Sequence, residues 1–398
     1  MKFDFSSIIE RKGKDALAVD AIPYDESVIK EGFDVIPMWV ADMNFATAPS
    51  VREAMIQRIE HPTFGYFIPR KEYYDSIINW QKIRHGVEGL TKENIEYQNG
   101  VLGGVISTMN ALCSRGDKVM IHTPAYIGFT NVLTENGYNI VHSDLIKDEN
   151  NVWRMDFTDM EEKIKKEHIH VLIFCSPHNP SGRVWEKWEI EKLMEICKKY
   201  DVYVIADEIW SDIILTGNKH IPTQAVSEDA KNRTVAFYAT TKTFNLAGMV
   251  GSYSIIYNDY LSDRVKKEAS LSCYNSINIL SMYALIGAYK PQGEEWLDEL
   301  CQVITENVEY ACSYVEKNFD GVNVAKPQGT YMLFMDCEKW CEEHGVTMDE
   351  LLLRGAQVGV IWQDGRPFFG KNHIRLNLAL PKVRVEEAMR RLKEYVFI

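Results

Sequence analysis

Two spacings of apolar residues succeed each other along this chain. Runs such as His170-Val171-Leu172-Ile173-Phe174-Cys175, Val202-Tyr203-Val204-Ile205-Ala206 and Thr234-Val235-Ala236-Phe237 are short and have no polar side. That pattern predicts strands buried on both faces of a parallel sheet. Lys118 to His122 and Ile95 to Asn99 read as further strands. Pro49 to Ile59, Val105 to Leu112 and Lys187 to Lys199 instead carry helical patterns. A helical stretch from Ser276 through Gly287 is broken at Lys290-Pro291-Gln292-Gly293, and a long helix begins near Glu294. Alternating strands and helices predict an α/β fold with a mostly parallel sheet between helices. Near the end, His373 to Leu380 alternates with period two: Ile374, Leu376, Leu378 and Leu380 face one way, Arg375 and Asn377 the other, on what reads as a wet face. Val35 to Phe45, apolar but for Asp42 and Asn44, reads as an edge strand, and His168 and His170 read as sheet residues.

Composition narrows the classes. A chain of 398 residues has room for two or three domains, and its formal charge of −13 argues against nucleic acid or an anionic membrane as the main partner. No run approaches the roughly 18 to 20 apolar residues of a membrane span, and the start, Met1-Lys2-Phe3-Asp4, has no signal-peptide core. The expectation is a cytoplasmic protein without membrane contact. Eight cysteines lack paired spacings and read as reduced thiols. Cys337, Cys341 and His344 form at most half a metal site, so no metal is expected.

The chemistry gathers around Tyr238-Ala239-Thr240-Thr241-Lys242-Thr243-Phe244-Asn245-Leu246-Ala247-Gly248. Hydroxyls before Lys242 and a small, apolar segment after it describe an amine on a loop past a strand end, in a partly dry pocket. Desolvation there lowers its pKa and frees its lone pair for attack on a carbonyl. Upstream, the strand before Gly100-Val101-Leu102-Gly103-Gly104 and the helix after it form the arrangement in which backbone N–H groups and a helix dipole hold a phosphate.

Thr-Lys-Thr-Phe-Asn-Leu-Ala-Gly resembles the cofactor-lysine segment of the fold-type I pyridoxal phosphate enzymes, and most closely that of the MalY/PatB cystathionine β-lyase branch of the class I/II aminotransferase family. The Val-Ala-Asp-Met segment at residues 40–43 is similar to that branch as well. The resemblance covers nearly the whole chain. It implies a large domain, residues 46–290, with a mostly parallel seven-stranded sheet; a smaller α+β domain, residues 291–398; and an N-terminal segment, residues 1–45, packed by the active site. It further implies pyridoxal 5′-phosphate bound through Lys242, with the amides of Val101 and Leu102 at the phosphate and Thr241 and Trp210 among the cofactor-binding residues. Tyr126, in Thr-Pro-x-Tyr, would lie over the ring and is a candidate acid for the leaving group. Asn179, in Ser-Pro-His-Asn-Pro-x-Gly-Arg, would bond the phenolic oxygen, and Asp207 would keep the ring nitrogen protonated. Arg375 would clamp the α-carboxylate of an amino-acid substrate, with Val40 alongside. Tyr66 would reach the phosphate of a second subunit, which implies a homodimer with shared sites.

Two positions depart from the family pattern. Trp210 stands where tyrosine or histidine is usual, and an indole N–H donates but neither accepts nor titrates. Val250 stands where aminotransferases commonly place a phosphate-binding arginine. With the Val-Ala-Asp-Met segment, this favours a lyase over an aminotransferase. A binding protein acting through protein contact is the remaining alternative, opposed by the presence of Lys242, Asp207 and Asn179 together.

Overall fold

In the computed structural model, which describes residues 1–271 and 275–398, the main sheet has eight strands. Their order is Ile95–Gln98, Ser252–Ile255, Thr234–Tyr238, Tyr203–Asp207, Val171–Cys175, Lys118–Thr123, Asn139–Lys147 and Trp153–Met155. Only Ser252–Ile255 and the short edge strand Trp153–Met155 run against the rest. The expected seven strands are thus present, and Trp153–Met155 adds an eighth at one edge.

The continuous apolar runs are explained by what lies on each face. Ile121, Ile173 and Ile205 point to a core built with Val101, Val105 and Met109 of the helix Val101–Leu112. Their neighbours Met120, Leu172, Phe174 and Val204 point the other way, to Ile190, Leu193 and Met194 of the helix Lys187–Lys199. Each such side chain taken out of water stabilises the fold by about 1.5–3 kcal/mol, so both faces of these strands call for apolar residues. The chain runs outward from Lys118–Thr123 to Asn139–Lys147, then returns to Val171–Cys175 and proceeds the opposite way. Such a reversal opens a crevice at the carboxyl ends of the strands.

A second, four-stranded antiparallel sheet joins Asn323–Val324, Met332–Asp336, His373–Asn377 and Gln363–Asp364. The helix Pro291–Asn318 begins three residues before the expected Glu294, because proline at a first helical position gives up no needed bond. The preceding helix is Ile279–Ala288, capped by the Asn278 side chain, so Ser276 lies outside it. His168 and His170 are not in the sheet: His168 ends a helix with φ +53°, and both precede Val171–Cys175. Within Val35 to Phe45, only Ile36–Pro37 pairs as a strand, alongside Val360–Ile361. The rest is held by side chains, as described below.

Candidate active site

Lys242 leaves the strand Thr234–Tyr238 through extended Ala239 and stands in a helical turn, Thr240–Thr243, rather than on an open loop. The turn closes when the Phe244 N–H donates to the Thr240 carbonyl at 2.9 Å. The Lys242 amine donates to the Ala41 carbonyl at 2.9 Å. Burial, and then the nearby Arg375 guanidinium, pull its pKa down to about 8, against the opposing charges of Asp42 and Asp207.

Asp207 ends the strand Tyr203–Asp207, level with Cys175 on one side and Phe237 on the other. Burial pushes its carboxyl up to about 7, although the Ile209 N–H donates to it at 3.1 Å. The charge of Lys242 does not offset that burial, and a protonated ring nitrogen against the carboxylate would.

Arg375 is buried, which corrects the wet-face reading. Its Nη1 donates to Asn179 Oδ1 at 3.1 Å, its Nη2 to the Trp39 carbonyl at 3.0 Å, and the guanidinium lies 4.5 Å from the Phe368 ring centroid. Burial lowers its pKa to about 10, and its Nε has no hydrogen-bond partner among the described residues. Asn377, two residues on, is covered by the same N-terminal segment, to which its Nδ2 donates at the Val40 carbonyl, 2.8 Å, and at the Asp42 carbonyl. Arg375 and Asn377 therefore face a polar backbone, not solvent.

That segment, Trp39 to Phe45, forms a strap across the site. Besides Lys242, the Tyr331 hydroxyl donates to the Ala41 carbonyl, at 3.1 Å. Asn245, in a left-handed backbone at φ +56°, bonds Met43 through both N–H and carbonyl at 2.9 Å and reaches the Phe45 carbonyl at 3.2 Å. Arg11 pairs with the Asp42 carboxylate at 2.5 Å.

The phosphate end is built by Gly100, whose φ of +78° turns the chain into the helix Val101–Leu112 with no side-chain cap. The helix starts four residues before the expected Val105, and its first-turn amides, Val101 and Leu102 among them, have no side-chain cap among the described residues. Gly104 permits this start: a Cβ there would lie 2.3 Å from the Phe237 ring. Similarly, a Cβ on Gly128 would lie 2.3 Å from Cε1 of Tyr126, so this glycine leaves room for the tyrosine ring.

These elements enclose one cavity of about 240 Å³, whose walls include Val101, Leu102, Tyr126, Asn179, Asp207, Trp210, Thr241 and Lys242. Trp210 is buried edge-on against Tyr331, ring centroids 4.7 Å apart, with the Lys242 amine 5.8 Å from its own ring centroid. Arg375 joins the site through Asn179. Val40 gives only its carbonyl to Asn377, and Ala41 takes its expected place in the wall. Tyr66 is not brought to this cavity; it is fully exposed at 111%. Val250 also lines the cavity, with φ +45°, a conformation rare for a β-branched residue. Sequence reasoning missed Ala41, Tyr331 and Asn245 as parts of the site, because two act on or through backbone and the third through a hydroxyl far along the chain.

An amine for an aldehyde, a buried acid with no ion pair among the described residues, a helix N-terminus for a phosphate and a guanidinium whose Nε has no partner among the described residues match the chemistry of pyridoxal phosphate and an amino acid. With the doubly wound sheet, they define the fold-type I pyridoxal phosphate class. The chain belongs to the family described as aminotransferase class I and II, whose profile matches residues 34–392, and within it to the MalY/PatB branch. It is 32% identical to cystathionine beta-lyase PatB of Bacillus subtilis over 96% of this chain and 98% of that protein. Protein MalY of Escherichia coli is 29% identical, with 97% of each chain covered. The solved PLP-bound C-S lyase of Staphylococcus hominis superposes with a TM-score of 0.90 at 30% identity, covering 100% of this chain and 99% of that one.

Proposed function

We infer that the chain is a pyridoxal 5′-phosphate-dependent carbon–sulfur β-lyase. It cleaves L-cystathionine or a related cysteine S-conjugate to pyruvate, ammonia and a thiol. The observation that carries this reading is the convergence of Lys242, Asp207 and the Arg375–Asn179 pair on one cavity beside the N-terminus of Val101–Leu112.

When bound, the cofactor supplies an aldehyde that captures the substrate amine and a ring that draws electrons from Cα. Val101 and Leu102 would hold its phosphate, Tyr126 and Asn179 its ring face and phenolic oxygen, and Asp207 its ring nitrogen, with Thr241 and Trp210 lining the same cavity. Arg375 orients the substrate carboxylate, with the strap at Val40 and Ala41 excluding water beside it. Lys242 takes the Cα proton, and its depressed pKa leaves the lone pair available near neutral pH. Burial raises the pKa of Tyr126, so its hydroxyl keeps a proton to give to the departing sulfur. Tyr66 serves the site of a second copy in a homodimer, and its exposure in a single chain fits that role. The chain divides as residues 1–45, 46–290 and 291–398, and it works in the cytoplasm; among the described residues no helix is long and apolar enough to cross a membrane.

Incubation of the holoenzyme with L-cystathionine and no 2-oxo acid tests the reading, with pyruvate and free thiol expected to accumulate. If neither appears, while an added 2-oxo acid is converted to its amino acid, the chain is an aminotransferase instead.

A further inference from the structure

Asp207 lines the cavity, whereas the next two acids along the chain, Glu208 and Asp212, are buried outside it. Glu208 accepts from the Tyr238 hydroxyl at 2.6 Å and the Thr223 N–H at 2.7 Å, and faces His220 Nε2 at 3.0 Å. Its partners are all structural. Asp212 differs, because one of its partners adjoins the lysine. Its Oδ2 accepts from the Thr243 hydroxyl at 3.1 Å, its Oδ1 from Trp80 Nε1 at 3.0 Å, and His85 Nε2 lies 3.1 Å from the same Oδ1. Burial alone would raise the pKa of Asp212, but His85, Arg84 and Trp80 hold it below the ordinary carboxylate value, so the acceptor stays charged.

Thr243 is wholly buried and follows Lys242 in a helical turn of four residues. So short a turn does not stand unaided. The strap grips it from the front through Asn245, and Phe244 packs 5.8 Å from Trp80. Trp80 is itself stacked on Tyr289 at 4.4 Å with an interplanar angle of 7°, which gives Asp212 a fixed donor.

We propose that Asp212 is a positioning residue for the lysine: through the Thr243 hydroxyl it fixes the turn that carries Lys242, while Trp80 holds the carboxylate in place with His85 beside it. This rests on the reading that Lys242 moves the Cα proton. A base displaced by about 1 Å loses up to a hundredfold in rate, and without the hydroxyl a charged, buried oxygen is left one donor short.

The test compares Thr243→Val, which keeps the shape and loses the hydroxyl, with Thr243→Ser, which keeps it. In the holoenzyme acting on L-cystathionine, the valine variant is expected to lose about ten- to a hundredfold in kcat, with KM little changed and a larger isotope effect from Cα-deuterated substrate. The cofactor-free valine variant is expected to take up pyridoxal phosphate more slowly, and the serine variant to stay near the unmodified chain in every measurement. A valine variant with unchanged kcat and uptake, or a serine variant as impaired as the valine one, overturns the proposal. Should the valine variant fail to fold by circular dichroism, Asp212→Asn is judged by the same criteria. If the unmodified chain releases no thiol, the lyase reading fails, and the uptake rates still decide the role of Asp212.

Discussion

At Lys242 the surroundings set the chemistry. An amine pulled down to about 8 by burial and by Arg375 is a cation below that pH and a nucleophile above it. Uptake of pyridoxal phosphate by the cofactor-free chain should therefore accelerate as pH rises through about 8 and level off above, as followed by the growth of visible absorbance in stopped flow. A rate flat from pH 7 to 9 would contradict this assignment. The lysine itself was legible in the sequence, because hydroxyls, a small apolar segment and a preceding buried strand all bear on one side chain. Its acceptor was not. The Ala41 carbonyl is a backbone atom that every residue carries, and only the folded path of the strap brings it within 2.9 Å. The same limit hid Asp212 and His85, which stand far apart in the chain and meet only behind the turn.

Among the elements, strands were read more securely than the segments that cap them. Val171–Cys175 and Tyr203–Asp207 announce themselves because both faces need apolar side chains. Period two puts Arg375 and Asn377 on the polar side of their strand but cannot say what covers that side. Here it is the strap. Glycines carry the corresponding signal for helices. Gly128 matters because a side chain there meets the Tyr126 ring, so Gly128→Ala should displace that ring. The lost ring contact, about 0.5–1.5 kcal/mol, predicts a two- to tenfold weaker affinity for pyridoxal phosphate by equilibrium dialysis. If affinity is unchanged, Tyr126 does not lie on the cofactor.

For the molecule as a whole, the unplaced residue is Tyr66. It stands clear of its own cavity, next to exposed Phe64 and Ile68, an apolar surface suited to a second copy. Chains carrying Lys242→Ala and chains carrying Tyr66→Ala should each be impaired alone. When mixed and allowed to exchange subunits, hybrids regain one intact site of two, and random pairing restores about a quarter of full activity. No recovery on mixing would mean that each chain completes its own site.

The grips that Arg375, Asn377, Tyr331, Lys242 and Asn245 place on the strap all land on main-chain atoms. Asp42 is tied by its carboxylate to Arg11, and Met43 and Phe45 are buried, so the side chains least bound by these grips are those of Val40 and Ala41. Libraries randomised at Val40 and Ala41 should keep the path of the chain while changing what borders the bound amino acid, which makes this stretch a natural place for selection to retune which thiol is released.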